Sequence, residues 1–164
     1  MRSITSFLEE GIQKCIECPL HSYEINKTFG KMYGFGEDGK YIVIGQNPSL
    51  RRSNFAGYAM SPGDVNSPEG YLWRLLKETN WPIKSTYFTN IVKCSTPDNR
   101  SLRKIELQTC IKLWFLQEVY STTPKIFICL GNEVYKILST TTFDFSNSVD
   151  LKKVYHHSYI ARTP

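Results

Sequence analysis

The sequence predicts an α/β fold with a central, mainly parallel sheet of four strands. Three observations predict it. Short unbroken apolar runs such as YIVIG and PKIFICLG suit strands buried on both faces better than alternating edge strands. Stretches with helical apolar spacing lie between them. Helix and strand alternate four times along the chain, the order of βαβ units, whose crossovers make neighbouring strands parallel.

Taken in order, SITSFLEEGIQKC is the first helix, with Ser3 or Thr5 as N-cap and Ile4, Phe7, Leu8 and Ile12 on one face. GKYIVIGQNP is the first strand and its closing turn. Ser67-Pro68-Glu69-Gly70 opens the second helix through GYLWRLLKET, where Pro68 suits the first turn. TYFTNIVKC is the second strand, and SLRKIELQTCIKLWFLQEVY reads as one long amphipathic helix. PKIFICLG is the third strand, NEVYKILST a helix, and LKKVYHHSYI the last strand, running into a loop. SLRRSNFAGYAMSPGDVNSPEG, after the first strand, is a long loop, expected to be mobile.

The 164 residues carry no repeat, low-complexity tract or linker, and are expected to form one domain with a sizeable core. No apolar run approaches the roughly 18 residues of a membrane span. The N-terminal MRSITSFLEEGIQKC has neither the apolar stretch nor the cleavage site of a signal peptide, so a reducing, cytoplasmic location is expected. A net charge of +5 is compatible with a polyanionic partner, and aromatic content of 13% would suit base stacking as well as a core.

In parallel sheets ligands bind beyond the carboxyl ends of the strands. GQNP, Asn90, LGN and HHS all fall at such ends. The five cysteines divide by context: Cys15 and Cys18 have the two-residue spacing of metal sites, Cys94 closes a strand, and Cys110 lies on the following helix. Those four fit either zinc or an iron–sulfur cluster, or are unrelated buried thiols. Cys129, inside PKIFICLG, reads as a small core hydrophobe.

Together these segments resemble the uracil-DNA glycosylase superfamily, especially its iron–sulfur, family 4-like members. The resemblance rests on Cys15-x-x-Cys18, TNIVKC with Cys94, IELQTC with Cys110, Asn99-Arg100, PKIFICLG and YHHSYIAR, from about residue 15 onward. It implies a three-layer α/β/α fold, a [4Fe–4S] cluster on Cys15, Cys18, Cys94 and Cys110 (structural zinc is the alternative), and a DNA-associated monomer excising uracil from single- or double-stranded DNA. Two departures stand out. Gln46-Asn47 occupies positions where iron–sulfur members usually have an acidic and a small residue, and His156-His157-Ser158 replaces the usual HPS.

The resemblance also suggests roles. Asn90 would read the base, since an amide offers one donor and one acceptor to uracil O4 and N3–H. His156 would donate a hydrogen bond to O2 as the leaving base gains charge. Asn47 would orient a water toward the sugar, and Gln46 would line the base pocket. Phe55, or Met60 in another alignment, would stack on the base. Arg51, Arg52, Arg100, His157, Ser158, Tyr159 and Arg162 are candidate DNA contacts, with Tyr159 or Ile160 as a wedge. Two other readings keep the fold: a non-catalytic iron–sulfur module that binds DNA, and a glycosylase for another modified base.

Overall fold

The computed structural model describes residues 4–37, 39–50, 57–60, 66–143, 148–160 and 162. Its core is a four-stranded sheet, β1 (Tyr41–Gly45), β2 (Thr86–Asn90), β3 (Ile126–Leu130) and β4 (Asp150–Val154), in the order β2-β1-β3-β4. Every pairing is parallel, with Gly45 opposite Asn90, Ile44 opposite Cys129 and Leu130 opposite Val154.

Successive side chains of a strand point to opposite faces, and here each face meets helices. Ile42, Ile44, Tyr87, Phe127 and Cys129 lie in one buried cluster with Phe115, Val119, Val134 and Leu138. Val43, Phe88 and Leu130 lie in a second, with Leu72 and Leu76. The first helical layer thus comprises α4 (Lys104–Cys110), α5 (Leu116–Tyr120) and α6 (Asn132–Ser139), and the opposite layer is led by α3 (Pro68–Glu78). Burial on both faces is why the strand runs are unbroken and apolar. Each such Leu, Ile or Phe stabilises the fold by roughly 1.5–3 kcal/mol.

Local signals act as expected at α3, where the Ser67 side chain accepts from Gly70 N at 3.0 Å and Pro68 follows at the first turn. Ahead of β1 lie α1 (Ile4–Lys14) and the short α2 (Glu24–Thr28). Ser3, one of the two expected caps, lies outside the described residues, and Thr5, the other, falls within α1.

Two expectations need correction. The long helix is continuous but not uniform: between α4 and α5 the backbone takes a wide π turn over Ile111–Phe115. The extra residue in that turn lets both Cys110 and Phe115 face the sheet side. The last strand ends at Val154, and His157–Ile160 form a short helix, α7, which packs on α3. β4 is otherwise exposed at the sheet edge, where Lys152 and Lys153 discourage pairing with another chain. Among the described residues no helix is long and apolar enough to cross a membrane.

Candidate active site

At about 4.8 Å per strand, the C-terminal edge of the sheet from β2 to β4 spans about 14 Å. Asn90 ends β2, Gly45 ends β1 and Gln46-Asn47 follow it, Gly131 follows β3, and His156 lies two residues past β4. The β1–β2 ladder continues past the strands through Ile91 N to Gly45 O and Val92 N to Gln46 O, both 2.9 Å. That fixes the main chain of Gln46. Asn90 is buried at 5% exposure, and a Cβ on Gly45 would collide with its Oδ1 and come within 3.3 Å of Met60 Cε. Glycine at 45 therefore lets the Asn90 amide and the Met60 thioether lie over the strand end. Met60 itself has φ 55°, and its carbonyl accepts from Trp73 Nε1 at 2.6 Å. Asn47 is half-buried and its Nδ2 donates to Pro48 O at 3.2 Å.

His156 is held by its immediate neighbours. Gly131 N donates to Val154 O at 2.9 Å, joining the β3 and β4 ends, and the Cα of Gly131 faces Cβ of His156. Ser158 N donates to His156 Nδ1 at 3.2 Å, and Ser158 Oγ lies 2.7 Å from the same nitrogen. A backbone N–H can only donate, so Nδ1 is the acceptor and the proton of the neutral ring sits on Nε2. Burial, with Arg162 adding its charge, lowers the His156 pKa. The ring is thus a neutral Nε2–H donor at neutral pH.

His157, expected at solvent or a phosphate, is instead buried at 5% exposure. Its ring stacks on His156 with centroids 4.2 Å apart, and its Nδ1 has no hydrogen-bond partner among the described residues. Burial first, and then the charge of His156, push its pKa down to about 3. Arg100 was expected at DNA, but both of its terminal nitrogens bond Glu106, a carboxylate with no exposure. Those bonds raise the Arg100 pKa, and Glu106, although burial pulls it up, is lowered overall by Arg100 and Arg103. Glu106 also accepts from Arg103 N at 2.8 Å, tying the start of α4 to the same arginine. Ser158 is committed to His156, while Tyr159 is exposed and stacks on the exposed Tyr155. Arg162 is exposed and its Nε donates to Ser158 O at 2.8 Å. Arg51, Arg52 and Phe55 lie outside the described residues.

Cys94 does not close a strand as expected: β2 ends at Asn90, and Cys94 lies four residues further on. Cys94 and Cys110 are buried, and Cys15 and Cys18 half-buried. Burial pushes Cys94 and Cys110 up to about 12. The thiols also act on one another: Cys94 senses Cys110, Cys18 and Cys15, and Cys110 senses Cys15 and Cys18. Cys129 is raised to about 11 by burial alone, and is a core residue of the sheet. Asn26, buried, joins the two halves of this neighbourhood: Nδ2 donates to Leu20 O and Ser95 O, and Oδ1 accepts from Ser95 N at 2.9 Å. Among the described residues no three His, Cys, Asp or Glu side chains are drawn together tightly enough to hold a metal ion.

Sequence reasoning missed Asn26, Glu106, Lys93 and Glu118. The last two carry a sequence signal: a lysine in the apolar run IVKC just past β2, and a glutamate between the core residues Phe115 and Val119.

The parallel sheet thus carries an amide, a glycine and a histidine along its carboxyl edge, the edge at which open α/β sheets bind ligands. Residues 33–164 match the Uracil DNA glycosylase superfamily, and the chain belongs to that family. It is similar to the type-4 uracil-DNA glycosylase of Pyrobaculum aerophilum, 28% identical over 124 residues, or 76% of this chain and 59% of that protein. The type-4 uracil-DNA glycosylase of Thermotoga maritima is 25% identical over 78% of this chain and 62% of its own length. That of Archaeoglobus fulgidus is 24% identical over 80% and 61%. The chain therefore spans about three fifths of the length of the curated relatives it matches.

Proposed function

We propose that this chain is a monofunctional glycosylase that hydrolyses the N-glycosidic bond of uracil in DNA. The observation that carries the reading is the state of His156: Nδ1 occupied by Ser158 N–H, and Nε2–H left to donate. A leaving uracil gains negative charge on O2, and a preorganised neutral donor there lowers the barrier by about 3–4 kcal/mol.

The base has to leave the stack before it can reach a strand-end pocket. Asn90 then reads O4 and N3–H with its amide, beside Gln46 and Met60 at the pocket floor. The C1′–N1 bond breaks with its electron pair going to the base, a water oxygen bonds C1′, one water proton ends on the released uracil and the other stays in the new C1′ hydroxyl. Asn47 orients that water but does not deprotonate it, since an amide has no useful proton affinity. Among the described residues only its Nδ2 is engaged with protein, which leaves Oδ1 to accept from the water. Tyr159 and Arg162, both exposed beside His156, are the described DNA contacts the reading keeps.

The donor chemistry around Cys94 fits a metal group. Burial disfavours the thiolates of Cys18, Cys94 and Cys110, and metal coordination would deprotonate them. Cys15, Cys18, Cys94 and Cys110 would hold a [4Fe–4S] cluster, with zinc as the alternative. When bound, it would staple the N-terminal segment to the β2 end.

A second reading, a module that binds DNA without turnover, is favoured by one feature: position 47 carries an amide where a carboxylate would stabilise the sugar cation better. Incubation with a uracil-containing oligonucleotide separates the two. Abasic sites that His156→Ala abolishes support the glycosylase, whereas DNA binding with no abasic sites supports the module.

A further inference from the structure

Lys93 and Glu118 are each 1% exposed and paired, Nζ to Oε2, at 2.5 Å. Nothing in a uracil-binding strand end requires a buried ion pair. Such pairs are a poor source of stability, because desolvation of the two charges offsets their attraction. The pair's other partners show what it holds. Nζ also donates to Thr89 Oγ1 at 2.9 Å and to the main-chain carbonyl of Asn90 at 2.5 Å. An ammonium has three protons, and all three are directed. Glu118 is engaged through both oxygens: Oε2 accepts from Lys93 and from Thr89 Oγ1 at 2.6 Å, and Oε1 accepts from Gly34 N at 2.9 Å.

The network joins three pieces of chain at one point. Glu118 comes from α5 and Thr89 and Asn90 from β2. Gly34 comes from a segment whose next residue, Phe35, exchanges both main-chain bonds with Phe88. Gly34 has no side chain because the Tyr87 ring occupies that space. β2 is thus gripped at Phe88, Thr89 and Asn90, on the last three residues before the loop. Asn90 is the residue whose amide lies over Gly45.

We infer that Lys93 and Glu118 are positioning residues for Asn90. They hold its main chain so that the amide meets the base at a fixed height over the β1 turn. This rests on the glycosylase reading above, and it adds residues that touch neither base nor sugar. Misplacement of a substrate-positioning group by about 1 Å can cost on the order of a hundredfold in rate, so the clamp should appear in turnover more than in substrate affinity.

A double-mutant cycle on the full chain tests this, with single-turnover uracil release from a single-stranded oligonucleotide and thermal melting as readouts. Lys93→Met combined with Glu118→Gln removes both charges together and leaves no unpaired ion. With Asn90 present it should slow release about tenfold or more; with Asn90→Ala already in place it should slow release less than about threefold. A slowing of equal size in both backgrounds, or none in the first, overturns the inference, because a merely structural pair would act independently of residue 90. If the combined variant does not melt cooperatively, Thr89→Val decides the matter. It removes the hydroxyl's bonds to Nζ and to Glu118 Oε2 but keeps the ion pair, and its smaller slowing should likewise vanish with Asn90→Ala. Asn90→Ala must itself retain measurable release for the cycle, and a longer time course provides it. If the wild-type chain releases no uracil at all, the glycosylase reading fails and takes this inference with it; release without coupling sinks the inference alone.

Discussion

Ser158 donates its backbone N–H to Nδ1 of His156 at 3.2 Å, and this one bond decides which nitrogen of the ring carries the proton. The consequence is a ring whose Nε2 donates rather than accepts. His156→Ala should therefore lower kcat by about a hundredfold to a thousandfold with little change in KM. Ser158→Ala keeps the backbone donor and should cost less than about tenfold. Steady-state release of uracil by the two variants checks the order.

The pH dependence follows with its sign. Burial and Arg162 lower the His156 pKa, so the neutral form persists below the ordinary histidine value. The acid limb of the rate profile should lie below pH 6.5, the usual imidazole value. Arg162→Gln removes a nearby positive charge, raises the His156 pKa and should move the limb to higher pH. A limb that stays put would exclude Arg162 from that role.

Gly45→Ala tests the contact that brings the amide over the turn. A methyl there meets Asn90 Oδ1 and Met60 Cε, although Gly45 has an ordinary strand backbone. Uracil release should fall about tenfold or more while the far-ultraviolet spectrum is unchanged.

Acid stability isolates His157. Its folded pKa, about 3, lies below the unfolded value, so the unfolded chain binds the proton first. Stability is intact above about pH 6.5 and is lost as pH falls toward 3, by on the order of 1.4 kcal/mol per pH unit. His157→Phe keeps a stacked ring without the titration. Urea melts between pH 7 and 4 should show a shallower decline for that variant than for wild type.

The thiols yield a fifth check. Burial holds Cys94 and Cys110 near 12, so in metal-free protein they should alkylate slowly at pH 8. Protein loaded with iron and sulfide should turn brown, and Cys94→Ser should lose the colour and melt at lower temperature. Zinc-loaded protein would stay colourless.

The central sheet was readable because β1, β2 and β3 are buried on both faces, and double burial writes itself as unbroken apolar sequence. β4 left a weaker trace, since DLKKV is an exposed edge with only Leu151 and its neighbours to place it. The π turn left none: one inserted backbone residue changes no residue type. Strand ends pointed to Asn90, Asn47 and His156 because parallel sheets collect ligands there. Partners far apart in sequence were invisible. Lys93 and Glu118 lie 25 residues apart, and Asn26 meets Ser95 across 69. Arg100 read as a surface cation because its partner Glu106, six residues on, could be recognised only once the 97–103 turn was in place.

The most direct measurement is release of free uracil from single- and double-stranded oligonucleotides carrying one uracil, followed by mass spectrometry with wild-type protein and His156→Ala. The account predicts free base, an intact phosphodiester backbone with one abasic site, and loss of both signals in the variant. Tight DNA binding with no free uracil, or uracil release undiminished in His156→Ala, would contradict it.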